Sequence, residues 1–363
     1  MHIYYDGQIY ALQKTGGISR YFANLISRLP HTHIPTLTSI YRRSPATYPK
    51  HPNLRLVRYL RFPPKLISQQ LEPFFFDVLV NFEHIDIIHP TFFETLIKKD
   101  IRAYQKPVVI TVHDMIHERF PAQTDPDGRY ALSKREAIDS ADAIICVSHN
   151  TKSDLLEYYP NVDPKVTVIH LASQFSLPQR LPDATTASVP YFLYVGSRDR
   201  YKNFSVLLNA LSNILTVNSD VELRVVGQPF SKEEKKFIQN LSLTERVTNC
   251  GFLSDIALTE QYSKCIAFVY PSVYEGFGIP PLESMSCGGA VIASNSSSIP
   301  EVVGNAALLF SPNSVDELTD RMRYLLESPL ARQRLVEQGY KRVKQFSWGK
   351  TAAQTVAVYE SLL

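Results

Sequence analysis

Residues 265–289 hold the pattern that most limits what this chain can become: a short apolar run, a glycine turn, then a proline-led helix. Cys265 to Tyr270 reads as a buried strand, which Pro271 stops. Glu275 precedes a Gly276-Phe277-Gly278 turn, and Pro280 and Pro281 open a helix that carries Glu283 and ends at Gly288-Gly289. Proline suits the first helical turn, where its missing N–H costs nothing, and glycine after the last turn is a usual terminator. A strand, a loop short of side chains and a helix N-terminus, in that order, bring backbone N–H groups and partial positive charge to a ligand.

The same alternation runs through the whole chain. Residues 1–10 begin with a short strand, and Gly16-Gly17 precede a helical pattern of Ile18, Phe22, Leu25, Ile26 and Leu29. Ile85–His89, Pro107–Val112, Ala143–Val147 and Val166–Ile169 read as strands; Ser148 could cap the next helix, the commoner role, or contact phosphate. Residues 41–71 read as a basic, proline-punctuated irregular connection. Residues 173–190 lack periodicity and are rich in Ser, Thr and Pro, as a linker is. Beyond it, Tyr191–Val195, Val221–Val226, Cys265–Tyr270 and Ala290–Ala293 are strands, and Asn203 and Ser254 stand where helices begin. The expected class is α/β, two doubly wound parallel sheets with helices on both faces. The expected boundaries are 1–172, a linker at 173–190, 191–345, and a C-terminal helix at 346–363 that could pack on either domain.

At 363 residues, 44% hydrophobic and 20% charged, the chain suits two soluble domains. Its net charge of +3 hides an asymmetry: from Gly7 to Leu71 there is no Asp or Glu. Arg42, Arg43, Arg55, Arg58, Arg61 and Lys65 there suggest an acceptor side or a surface for anionic lipid. No nucleic-acid module signature accompanies them, so no nucleic-acid partner is expected. Four cysteines without C-x-x-C spacing point to reduced thiols and a cytoplasmic setting. No leader and no run of about 18 apolar residues is seen, so secretion and membrane spanning are not expected, though peripheral contact with the inner face of the plasma membrane is.

His113-Asp114 closes a buried strand, the place where parallel α/β sheets put ligands. His113 and His117 stand four apart, but the acidic residue of a zinc helix is missing, and Asp125-Pro126-Asp127-Gly128 reads as a turn. No metal site is expected.

Glu275 and Glu283 form E-x7-E. Together with GGISRY near the start, VHD at 112–114, VGSRDRYKN at 195–203 and SSIPEVVG at 297–304, they make the chain resemble the retaining glycosyltransferases of family 4, mannosyltransferases in particular. The resemblance implies a GT-B fold: two Rossmann-like domains facing each other across a cleft, the first for the acceptor and the second for the nucleotide sugar, with the C-terminal helix crossing back to the first. It also implies a hexosyltransferase working without metal or other cofactor on a GDP- or UDP-hexose, GDP-mannose first, with a glycan or lipid-linked acceptor of cell-surface polysaccharide synthesis. Lys202 matches the family's phosphate-binding lysine. Ser197 stands where many members have Arg, so Arg198 or Arg200 takes that part, Arg198 being favoured. By the same resemblance Glu275 holds sugar hydroxyls, Glu283 the ribose, and Phe252-Leu253 lie near the base. Gly16, Gly17 and the amides of Gly276, Phe277, Gly278 and Ile279 lie near the diphosphate, and His113 bonds the transferred sugar or the acceptor. Two other readings are a nucleotide-sugar epimerase of the same fold and a non-catalytic sugar- or lipid-binding relative.

Overall fold

The computed structural model describes residues 1–13, 16–41, 48–82, 84–175, 189–216 and 220–363. They form two compact units: Met1–Leu171 together with Trp348–Leu363, and Ala172–Ser347.

In the first unit, β1 (His2–Tyr5), β2 (Ile34–Ile40), β3 (Arg55–Tyr59) and β4 (Ile87–Ile88) make a parallel sheet of order β3-β2-β1-β4. A second parallel sheet of β5 (Val109–Val112), β6 (Ala143–Cys146) and β7 (Val166–Val168) is joined to it by a parallel bridge from Ile88 to Val108. Strands β1, β5 and β6 are buried along their whole length, because helices cover both faces of such a sheet. The Trp348–Glu360 helix packs in this unit beside the Gly17–Ile26 helix. Tyr359 anchors it: its hydroxyl meets His89 Nδ1 at 2.6 Å and the Tyr5 hydroxyl at 3.2 Å.

The described part of the irregular connection expected at 41–71, residues 48–71, is largely ordered. It contains β3, and it runs into an 18-residue helix, Lys65–Phe82, that keeps Pro73 in its interior. β3 has little apolar alternation of its own and gains its conformation from pairing with β2, a contact that local pattern does not report. Arg42 and Arg43 lie outside the described residues, as does 176–188 of the linker.

The second unit is one parallel sheet of six strands: β8 (Tyr191–Val195), β9 (Glu222–Val226), β10 (Val247–Gly251), β11 (Ala267–Tyr270), β12 (Val291–Ser294) and β13 (Leu308–Phe310). The order is β10-β9-β8-β11-β12-β13, so winding reverses between β8 and β11. Its core gathers Phe192, Leu207, Leu211, Leu223, Val225, Val269, Ile292 and Leu318, all fully buried. In open α/β sheets, ligands lie beyond the carboxyl ends of the strands at such a reversal.

Candidate active site

The carboxyl ends of β8 and β11 lead into the loops at 196–203 and 271–278, and Val273 N–H donates to the Tyr201 carbonyl at 2.8 Å to tie the two together. Across them, Lys202 Nζ donates to both oxygens of Glu275, at 2.7 and 2.9 Å. The two side chains are only 18% and 12% exposed, which strengthens their attraction over that of a solvated pair. The Tyr270 phenol beside them is raised far above its ordinary pKa by burial and by the Glu275 charge.

The glycine turn is held from below by serines of the loop after β12. Ser297 Oγ accepts from Glu275 N–H at 2.9 Å, and Ser298 Oγ bonds the carbonyls of Glu275 and Phe277 at 2.8 and 2.9 Å. Ser296 Oγ reaches the Val273 carbonyl at 2.5 Å, and Ser294 Oγ bonds that of Ser272. Of these serines only Ser297 and Ser298 entered the sequence analysis, inside the SSIPEVVG motif, and no task was given to them. Gly276, Phe277 and Gly278 are buried. Gly278 has φ +98°, which a residue with a Cβ adopts only at a cost, and it caps the Ile279–Ser286 helix. Glu283 faces inward on that helix, 7% exposed, with the Tyr262 hydroxyl 3.3 Å from its carboxylate.

Arg198 is fixed rather than solvated. Its Nε meets Glu234 Oε1 at 2.5 Å, its Nη2 donates to the Pro229 carbonyl at 3.0 Å, and its Cζ lies 5.0 Å from the Phe230 ring centroid. Nη1 is buried with no hydrogen-bond partner among the described residues. Glu234, which the sequence reading did not single out, also closes a capping box with Ser231. Arg200 is exposed. Asn203 does not cap with its side chain: it sits in a left-handed conformation, φ +59°, and donates to the Pro312 carbonyl at 2.6 Å. Phe252 is exposed and Leu253 half-buried just beyond β10.

In the first unit, Gly16 and Gly17 begin the Gly17–Ile26 helix, and an added Cβ on Gly17 would meet nothing within 4 Å. His113 stands beyond β5, its ring 5.1 Å from that of Tyr21, and burial pushes its pKa down to about 4. With Asp114, His117, Lys134, Thr91 and Thr111 it lines a cavity of about 50 Å³. Lys134 is fully buried and paired with Glu118 at 2.7 Å, an ion pair the sequence reading passed over. Asp125 accepts from the N–H groups of Tyr130 and Ala131 at 3.1 and 2.8 Å, so it caps a helix. Arg55 and Arg58 on β3, Arg61 just after it and Lys65 at the start of the next helix are exposed.

Two doubly wound parallel units, the second with a lysine and two carboxylates at its winding reversal, are the architecture of the GT-B glycosyltransferases. The family model Glycosyltransferase Family 4 matches residues 15–172, and Glycosyl transferases group 1 matches 183–342. Over 270 residues the chain is 30% identical to the O-antigen chain mannosyltransferase B of Escherichia coli, covering 70% of each protein. The chain belongs to glycosyltransferase family 4, and it is a hexosyltransferase similar to mannosyltransferases. Among solved structures, sucrose-phosphate synthase from Thermosynechococcus elongatus is similar with a TM-score of 0.78 at 21% identity, covering 99% of this chain and 98% of that one. HepE of Anabaena in complex with UDP-glucose gives a TM-score of 0.74 at 18% identity, covering 99% of each. At these identities the structures speak for the fold.

Proposed function

We propose that this chain moves mannose from GDP-mannose to a hydroxyl of a glycan or lipid-linked acceptor in cell-surface polysaccharide synthesis, with retention and without a metal. The observation that carries this reading is the pairing of Lys202 with Glu275 at the winding reversal of the second sheet. Likeness to the O-antigen chain mannosyltransferase supports the choice of sugar.

Transfer breaks the bond between the anomeric carbon and the diphosphate oxygen and forms one to the acceptor oxygen on the same face of the sugar. The acceptor's proton passes to the departing phosphate. Negative charge grows on the diphosphate, and preorganised cations and amides stabilise it most where water is excluded. Lys202 and the amides of Gly276, Phe277, Gly278 and Ile279, which precede the two prolines that open the Ile279–Ser286 helix, meet that charge. Arg198 joins them through Nη1, the guanidinium nitrogen left over from Glu234 and Pro229. When donor binds, Lys202 turns from Glu275 to phosphate, and Glu275 accepts sugar hydroxyls. Glu283 takes the ribose, and Phe252 and Leu253 flank the base. His113, kept neutral by burial, bonds a sugar hydroxyl. No helix among the described residues is long and apolar enough to cross a membrane.

The test is thermal melting with GDP, UDP, ADP and their sugar conjugates, with and without chelator. A donor at about 100 Kd adds about 2.7 kcal/mol to stability. GDP-mannose should stabilise with chelator present; loss of the effect on chelation, or stabilisation by UDP conjugates alone, refutes the metal-free or the GDP part respectively.

A further inference from the structure

We propose that the C-terminal helix sets the ring of His113 for the sugar, through a buried hydrogen-bonded chain of Tyr359, His89, Thr111 and Tyr21. The proposal rests on the reading of His113 as a sugar contact, and it makes these four positioning residues. All of them belong to the first unit, and all are buried. His89 Nδ1 meets the Tyr359 hydroxyl at 2.6 Å, and its Nε2 meets Thr111 Oγ1 at 2.9 Å. The Tyr21 hydroxyl lies 3.2 Å from the same Thr111 Oγ1, and the Tyr21 ring stands edge-on to His113 at 5.1 Å. Thr111 on β5 and His113 just beyond it line one cavity.

The hydrogen-bonded chain has one direction. The Thr355 hydroxyl donates to the Thr351 carbonyl at 2.8 Å, so Tyr21, which bonds Thr355, gives it its single proton. Thr111 must then donate to Tyr21, and His89 must donate from Nε2 to Thr111. Burial pushes the pKa of His89 down to about 3, so the ring is neutral and holds one proton. With that proton on Nε2, Nδ1 accepts from Tyr359, whose own oxygen accepts from the Tyr5 hydroxyl at 3.2 Å. Removing the Tyr359 hydroxyl leaves Nδ1 a buried acceptor with no donor, so the ring must turn or change tautomer. If it turns, Thr111 loses its donor; if the proton moves to Nδ1, Thr111 must donate to Nε2 and lets Tyr21 go. Both loosen the Tyr21 ring against His113.

Long-range proton–nitrogen NMR of the full chain with isotope-labelled histidine reads the tautomer of each ring. At neutral pH His89 should carry its proton on Nε2. Y359F should abolish that pattern and displace the ring signals of His113. Y59F deletes another buried tyrosine hydroxyl of the unit, one that donates to the Ser68 carbonyl at 2.8 Å, and should lower the melting temperature with both sets of signals unmoved. Release of GDP from GDP-mannose, with methyl α-mannoside as acceptor, should fall in kcat on the order of 10²-fold in Y359F at unaltered GDP affinity, and not at all in Y59F. Hydroxyls that only hold the fold would lower the melting temperature of both variants and the turnover of neither. Wild-type His89 protonated on Nδ1, His113 signals unmoved in Y359F, or undiminished turnover in Y359F each overturns the proposal. H113A separates the causes: turnover intact in H113A fells the sugar reading of His113, whereas turnover lost in H113A and intact in Y359F fells the hydrogen-bonded chain alone. The NMR comparison needs no donor, so it decides whichever sugar is carried.

Discussion

Replacing Lys202 by Met removes the cation from a pair whose side chains are 18% and 12% exposed. Breaking a fully buried pair from one side costs about 3–5 kcal/mol, whereas an exposed pair is worth about 0–1 kcal/mol. This pair lies nearer the buried limit, so K202M should cost about 2–3 kcal/mol. At about 2–4 °C per kcal/mol for a domain of this size, the melting temperature of the second unit falls by about 5–10 °C. Adding E275Q removes the stranded carboxylate, and the double variant should recover about 1–2 kcal/mol of that loss, the coupling expected of contacting groups. Donor binding separates structure from chemistry. If Lys202 meets the diphosphate, both K202M and K202M/E275Q lose nucleotide affinity, and turnover of either falls on the order of 10²–10³-fold. A double variant that recovers stability together with nucleotide affinity would show that the pair is structural, and the site assignment would fall.

Three further perturbations probe what holds the site. S298A removes the hydroxyl that ties the carbonyls of Glu275 and Phe277, and should cost about 1–3 kcal/mol in chemical denaturation and weaken donor binding; wild-type affinity would mean the turn holds itself. G227A puts a Cβ 2.6 Å from the Gly196 carbonyl at a φ of +146°, so it should displace the loop bearing Arg198 and lower both melting temperature and nucleotide affinity; a neutral result would refute that packing. His113 has its pKa lowered by burial to about 4, so the unfolded chain takes up its proton first, and stability drains as pH falls from about 6.5 through about 4. Urea titrations of H113N across that window should show a slope shallower by about 1.4 kcal/mol per pH unit, and parallel profiles would refute the buried neutral state.

Many of the strands were legible in the sequence because a buried parallel strand such as Ala143–Cys146 or Tyr191–Val195 is an apolar run bounded by glycine, serine or proline, whereas β2, β10 and β13 were not read as strands. The strand, turn and helix at Ala267–Ser286 were legible for the same local reason, and with them the placing of Glu275 before the turn and Glu283 on the helix. What the sequence could not carry was pairing across distance. β3 exists by its register on β2, and the Lys65–Phe82 helix hides Ser68 and Glu72 while showing Leu66 and Phe74, the reverse of what hydrophobic pattern alone selects. Lys202 meets Glu275 across 73 positions, and Arg198 meets Glu234 across 36. Local conformation follows from backbone sterics and from nearest neighbours along the chain. Which charge faces which, and which apolar face stays outside, follows from the winding of the sheet and the desolvation it imposes, and these arise only once the strands have met.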